Sequence, residues 1–355
     1  MAATPGFGWS NRRRFKPVSA LAPDMLRPQG LCEASELPAW YEAYAFVRGG
    51  YRVGYVSHCD CVRSLGAVHN ETCNVWSHIL GCVIFGLRSC GIGARSLEDL
   101  SVAAFTVAAT LMFGLSAGYH TFQPLSKRAF QRWLVADKIG IAAMIGGSFV
   151  PGVWLGFRCQ PLTVRVFWLC DAVLLTAIGA TMALGRKRNY HRFVFASLVL
   201  SALAPALHWW SVASPSLKEK LAPNLVAMFA WYALGFLIYV ANWPERHFPG
   251  AFDLFGASHQ LWHLCILFAA LSWLRNIDIC LSLIDQHQPT HLTAWLSSST
   301  DNLLVHRRRI TTVGTAPPSS SKESNPENTF LPAVDFSLEE PPQLIRPHSS
   351  SYFLC

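Results

Sequence analysis

His259 and His263 stand four residues apart in Ser258-His259-Gln260-Leu261-Trp262-His263, inside an apolar stretch that reads as a membrane-spanning helix. Side chains at i and i+4 share one face of a helix, so both imidazoles point the same way. Ionisable groups in lipid are costly unless they face the bundle interior and find a partner, and for paired histidines the obvious partner is a metal ion. The pair alone is equally open to hydrogen bonding between helices. Two further residues join it: His120, ending an earlier apolar run in Ser116-Ala117-Gly118-Tyr119-His120, and Asp137, near the start of the next. Three imidazoles that leave one position to water are a common layout for catalytic zinc, with Asp137 placed to orient or deprotonate that water. Singly, His120 reads as an interfacial residue and Asp137 as a partner for Lys138, although adjacent helical residues face apart and pair poorly. Taken together, the four favour a metal.

The elements that must position these groups are long apolar runs. Hydrophobic residues make up 52% of the 355 and charged residues only 14%, and mean hydropathy is +0.27. Soluble domains carry nearer to about 25% charged residues, so lipid is the expected solvent. Seven runs suffice to cross a hydrocarbon core of ~30 Å at ~1.5 Å per residue. They extend approximately over Val75–Ile92, Ser101–Phe122, Trp133–Phe157, Thr163–Gly185, Phe193–Ala213, Ala222–Trp243 and Phe252–Asn276. The first is the least clear, because Arg88 lies near its end. The expected fold class is therefore an all-α membrane protein, a seven-helix transmembrane bundle. Residues 1–74 form a cytoplasmic N-terminal region, residues 75–276 the bundle, and residues 277–355 a Ser/Pro-rich tail expected to be disordered. The basic cluster Arg12-Arg13-Arg14 has no apolar run behind it, so no cleavable signal peptide is expected and the first span targets the chain.

Basic residues near the span ends set the orientation. Arg48, Arg52 and Arg63 precede the first span; Lys127, Arg128 and Arg132 join spans two and three; Arg186, Lys187, Arg188 and Arg192 join four and five; Arg246 joins six and seven. The other side carries Arg88, Arg95, Arg158, Arg165, Lys218, Lys220 and Arg275. The richer side is expected to be cytoplasmic, giving a cytoplasmic N-terminus and an extracellular or lumenal C-terminus. With that topology, His120, Asp137, His259 and His263 come to similar depths in the inner leaflet.

Five separated segments carry a resemblance. They are Asn70–Gly81 at the mouth of the first span, Ser116–His120 ending the second, and Asp137 with Gly146–Pro151 in the third. Pro244–Gly250 precedes the seventh and Ser258–His263 lies within it. In this order, over about residues 48–276, they resemble the progestin and adipoQ receptor (PAQR) family, in particular the branch of the adiponectin receptors and a Golgi-resident Raf-kinase-trapping relative. The resemblance implies seven helices with a cytoplasmic N-terminus and an inner-leaflet Zn2+ held by His120, His259 and His263, with Asp137 bound through water and Ser116 beside the site. Adiponectin receptors are also thought to hydrolyse ceramide, which would make Asp137 the proton acceptor and Ser116 a support for the developing oxyanion. Two departures stand out: Lys138 occupies a position where an aromatic is expected, and the N-terminal region is short for an adiponectin receptor.

Other features carry less. Glu71 is expected to partner a basic residue at the cytoplasmic rim, and Thr72 or Asn74 to cap the first span. His78 could in principle approach the inner-leaflet site but is not counted among its ligands. His208, beside Trp209 and Trp210, reads as an interfacial belt residue. Pro151 and Pro205 are expected to kink their helices and so open cavities. Cys59-Asp60-Cys61 lies in a reducing compartment without a second ligand pair, which favours palmitoylation over a metal site; Cys82, Cys90, Cys170 and Cys265 read as packing residues. The net charge of +8 gathers beside apolar stretches, as attraction to an anionic leaflet produces, and does not suggest nucleic acid.

Three functional classes remain open. One is a receptor, at the plasma membrane or Golgi, that senses an extracellular protein or a lipid and signals to cytosolic proteins, its metal serving as a clamp. Another is a zinc-dependent amide hydrolase, ceramidase-like, whose partners are membrane lipids such as ceramide or a fatty acid. The last is a non-catalytic Golgi scaffold that tethers a cytosolic kinase through residues such as Glu33–Tyr44 and dampens signalling.

Overall fold

The computed structural model describes residues 30–93, 95–184 and 191–287. Residues up to Leu281 belong to one compact unit; Ser282–Cys355 form a second, of which only the end of the last helix is described. The first unit is built on helices: α1 (His58–Arg63), α2 (Thr72–Cys90), α3 (Leu97–Phe122), α4 (Lys127–Gly156), α5 (Leu162–Leu184), α6 (His191–Ser201), α7 (Leu203–Val212), α8 (Pro215–Ala241) and α9 (Ser258–His287). Among the described residues six helical segments are long and apolar enough to cross a membrane: α3, α4, α5, α6 with α7, α8 and α9. The chain is thus a helical, integral multi-pass membrane protein. α2 falls outside that set, its 19 residues carrying Asn74, Ser77, His78, Arg88 and Ser89.

Burial ranks the helices. In its most apolar stretch α3 is 56% buried, against 11% for α5 and for α8, so α3 is the central post and the other two turn most of their surface outward. α3 packs between α2 and α4. Its approach to α4 depends on residues without side chains: a Cβ at Gly140 would lie 2.9 Å from Met112 Cα, and one at Gly147 would lie 2.6 Å from Ala108 Cβ and 2.9 Å from Ala104 O. Small residues let membrane helices close in this way and gain van der Waals contact.

The expected kink at Pro205 takes the form of a break, with α6 ending at Ser201 and α7 beginning at Leu203. Proline has no N–H to donate one turn back, which frees the carbonyl of residue 201. Pro151 instead stays within α4. Both prolines line an apolar cavity of about 100 Å3 between α4, α7, α8 and α9, together with Trp209, Met228 and Trp273. His208 is half-buried: Trp168 Nε1–H donates to its Nδ1 at 2.9 Å and its ring lies 5.0 Å from that of Phe157. Cys265 is buried, whereas Cys90 and Cys170 are exposed and so do not pack inside the bundle.

Two features depart from the all-helical expectation. The N-terminal region contains an antiparallel hairpin of β1 (Gly30–Cys32) and β2 (Tyr51–Val53), with Cys32 opposite Tyr51. It encloses a small core of Cys32, Leu37, Tyr41, Val47 and Tyr51 that reaches Ala257. The last span also starts later than the apolar run suggests. Phe252–Ala257 is a turn, with Gly256 at φ +84°, where the Asp253 carboxylate accepts the N–H groups of Arg48 and Gly49 at 2.9 and 2.8 Å. At its other end α9 stays helical through His287, so residues 277–287 of the expected tail are helix, while residues 288–355 lie outside the described residues.

Candidate metal centre

The first turn of α9 is fixed by its neighbours. Glu245, buried in the loop after α8, accepts the Ser258 N–H at 2.8 Å and the Ser258 hydroxyl. Gln260 accepts the Gly256 N–H at 2.6 Å and donates to the carbonyls of Asn70 and Leu254 at 2.8 and 3.0 Å. His259 is consequently the second residue of α9 and His263 the sixth, not two to three turns inside a helix from Phe252. The end of α3 is held from outside as well: Arg52 on β2, 1% exposed, donates to Thr121 O at 3.2 Å, to His120 O and to Ser64 Oγ at 2.7 Å.

These two helix ends bring His120, His259 and His263 together, with one ring nitrogen from each within 4.8 Å of the others. Ring centroids are 5.3 Å apart for His120 and His259, and 4.7 Å for each pair with His263. Nitrogen ligands at ~2.0–2.1 Å from a shared tetrahedral ion lie ~3.4 Å apart, so the three rings need to draw in by ~1.4 Å at most to hold one. The hydrogen bonding also suits an ion. His120 Nδ1–H donates to Glu71 Oε2 at 2.8 Å and His263 Nδ1–H to Asn74 O at 3.4 Å, leaving both Nε2 atoms free. Both ring nitrogens of His259 are buried without a partner. Buried polar atoms left unpaired are costly, and a cation that accepts the lone pair of one of these nitrogens lowers the cost.

Asp137 and Ser116 lie near His120 but outside the three-histidine group. The Ser116 hydroxyl hydrogen-bonds the Asp137 carboxylate, which lies within electrostatic range of His120, and Asp137 Oδ1 is buried without a partner. One helical turn separates Ser116 from His120 on α3, so a single face of that helix serves both the carboxylate and the imidazole. Lys138 lies within electrostatic range of the carboxylates of Glu42 and Asp137.

Three contributors were not counted among the site residues. Glu71 is wholly buried, not at a rim, and accepts from His120, Asn74 Nδ2 at 2.6 Å, Tyr44 Oη at 3.3 Å and Asn70 Nδ2 at 3.3 Å. Burial alone would push its carboxyl up, yet His120, Asn74 and Arg52 outweigh that and hold it below the usual carboxylate range. Tyr44 also lays its ring 4.9 Å from that of His259. His78 stacks on His263 with centroids 3.7 Å apart and planes 13° from parallel. The signal was present in the sequence, since Glu71, Asn74 and His78 recur at the three- and four-residue spacing of one helix face. The anticipated caps were not used: Thr72 Oγ1 accepts from His69 N–H at 2.8 Å, and the N-cap residue is Glu71, without a side-chain cap bond.

Fold and site together define a multi-pass membrane protein that places a histidine cluster at the ends of two helices. Over residues 67–274 the chain matches the Haemolysin-III related family. It belongs to that family, the PAQR proteins. Similar proteins include the Adiponectin receptor protein of Drosophila melanogaster, 33% identical over 268 residues, which cover 70% of this chain and 59% of the relative. Progestin and adipoQ receptor family member 3 of Mus musculus is 29% identical over 271 residues, 70% of this chain and 86% of the relative. Heptahelical transmembrane protein 1 of Arabidopsis thaliana is 29% identical over 267 residues, 70% and 80%. Against the fly receptor the chain thus spans about three fifths of the relative's length.

Proposed function

We propose that this protein is an adiponectin-receptor-like membrane protein that holds Zn2+ on His120, His259 and His263 and hydrolyses a lipid amide of the ceramide type, the released lipid serving as the signal. α2 completes a bundle of seven spans with the N-terminus in the cytoplasm, a count that the heptahelical name of the plant relative favours. The observation that carries the reading is the pairing of three convergent imidazoles with a carboxylate that has one oxygen on Ser116 and the other, Asp137 Oδ1, bare. A structural clamp needs the imidazoles alone; a bare, oriented acceptor beside them suits proton transfer.

When bound, zinc supplies Lewis-acid polarisation of the amide carbonyl and lowers the pKa of water in its open position to ~7. The chain's own residues do the rest. Asp137 Oδ1 accepts the proton of the attacking water and delivers it to the leaving amine. Ser116, by donating to the carboxylate, holds it in one orientation.

Asp137→Asn in purified protein tests the reading. Zinc content stays at the wild-type level and ceramide hydrolysis falls by at least ~100-fold, the range of a lost general base. Hydrolysis that survives in Asp137→Asn removes Asp137 from the reaction, whereas a wild type that holds zinc but never releases fatty acid from ceramide favours the receptor with a metal clamp.

A further inference from the structure

The segment Asn70–His78 stands outside the reaction, yet its residues surround the histidines. We infer that Glu71 is the positioning carboxylate of the metal centre: by accepting the Nδ1–H of His120 it fixes the tautomer and ring orientation that turn Nε2 toward the ion. This rests on the metal reading above. An imidazole binds a metal through a nitrogen that carries no proton, so the partner of the other nitrogen decides which face of the ring is offered.

The geometry gives Glu71 little choice of role. Its side chain is wholly buried, and Oε2 receives Nδ1–H of His120 at 2.8 Å, Nδ2–H of Asn74 at 2.6 Å and the Tyr44 hydroxyl at 3.3 Å. Asn70 Nδ2–H reaches Oε1 at 3.3 Å. With Asn70, Asn74 and Tyr44 holding the carboxylate from three directions, its position does not depend on the rotamer of His120. The two amides and the phenol fill three of the roughly four acceptor positions of a carboxylate, and the His120 imidazole takes the remaining one. Asn74 extends the arrangement: its carbonyl accepts Nδ1–H of His263 at 3.4 Å while its amide braces Glu71. The first turn of α2 thus orients one ligand from α3 and one from α9. The free charge of Glu71 also strengthens the basicity of the His120 imidazole toward a cation, as ligand-bound carboxylates do in other metal sites.

The test is Zn2+ affinity by chelator competition in detergent-purified wild type, Glu71→Ala, Glu71→Gln and Tyr44→Phe, with the absorption of Co2+-substituted protein and the thermal stability of the metal-free proteins measured alongside. Glu71→Ala is expected to bind Zn2+ about 10–100-fold more weakly, the usual effect of losing an outer partner of a ligand, and to shift the Co2+ d–d bands. Glu71→Gln keeps an acceptor oxygen without the charge and is expected to fall between Ala and wild type with a smaller band shift. Tyr44→Phe removes one of the donors that hold Glu71 but keeps the His120 contact, and is expected to lose less affinity than Glu71→Ala. A carboxylate that serves stability alone would lower the unfolding temperature of metal-free protein and leave affinity and Co2+ spectrum unmoved, and that result overturns the inference. Should Glu71→Ala not fold, wild-type affinity and spectrum in Glu71→Gln overturn it equally. A wild type that binds no Zn2+ sinks the metal reading itself, whereas a zinc-binding wild type with indifferent Glu71 variants sinks this inference alone.

Discussion

Replacing Arg52 by methionine probes how the N-terminal hairpin holds the end of α3. The last carbonyls of a helix have no partner within it and must be satisfied from outside. Here one buried guanidinium does so, donating to Thr121 O at 3.2 Å and to His120 O, and to Ser64 Oγ at 2.7 Å. Hydrogen bonds from a charged donor contribute about 1.5–3 kcal/mol each, and their sum is reduced by the cost of burying the cation. Methionine fills a similar volume but leaves the carbonyls unpaired, so the net loss is about 3–5 kcal/mol, the range for removing one partner of a buried charged set. For a domain of this size ~1 kcal/mol moves the melting temperature by about 2–4 °C, so Arg52→Met is expected to melt about 6–20 °C below wild type in detergent. Arg52→Lys keeps the charge but not the planar fork, and is expected to fall in between. A methionine variant that melts within 2 °C of wild type, on the order of 1 kcal/mol or less, would refute the reasoning.

Two further outcomes follow from packing and protonation. Gly147→Ala places a Cβ 2.9 Å from the Ala104 carbonyl, which belongs to backbone and cannot swing aside, so α3 and α4 must part at a cost of about 1–3 kcal/mol; an unchanged melting temperature would contradict that. His69, buried before α2, accepts the Glu71 N–H on Nδ1 at 3.1 Å and donates from Nε2 to Ser64 O at 3.2 Å, an arrangement only the neutral ring can make. Burial and the Arg52 cation lower its pKa to about 4. Because the folded value lies below the unfolded ~6.5, the unfolded chain takes up the proton first, and stability is lost as pH falls from ~6.5 toward 4. Between pH 7 and pH 5 that loss is ~2 kcal/mol, and His69→Gln should melt with a correspondingly flatter pH dependence; equal slopes would contradict it.

Much of this molecule is legible without coordinates because lipid imposes a strong pattern: a run of some twenty apolar residues has few other uses. The spacing of His259 and His263 and the place of His120 at a span end carried the site for the same reason, since polar groups in such runs need a cause. What escaped was local. β1 and β2 are three residues each, too short for any alternation to register. Phe252–Ala257 is apolar enough to pass for helix, and only Gly256 at φ +84° and the demand of Arg48 and Gly49 for the Asp253 carboxylate turn it into a loop. Glu71 was read at the rim because a carboxylate ahead of a span ordinarily faces water; the amides and phenol that make its burial tolerable come from Tyr44, Asn70 and Asn74, and Tyr44 lies 27 residues away in the chain.

Metal content is the measurement on which the central claim turns. Protein purified in detergent without added metal is analysed by elemental mass spectrometry beside the His259→Ala, His263→Ala double variant, each normalised to folded protein. Zinc at about one ion per chain in the wild type, and close to none in the double variant, is the expected result. A metal-free wild type, or a double variant that retains the ion, contradicts it.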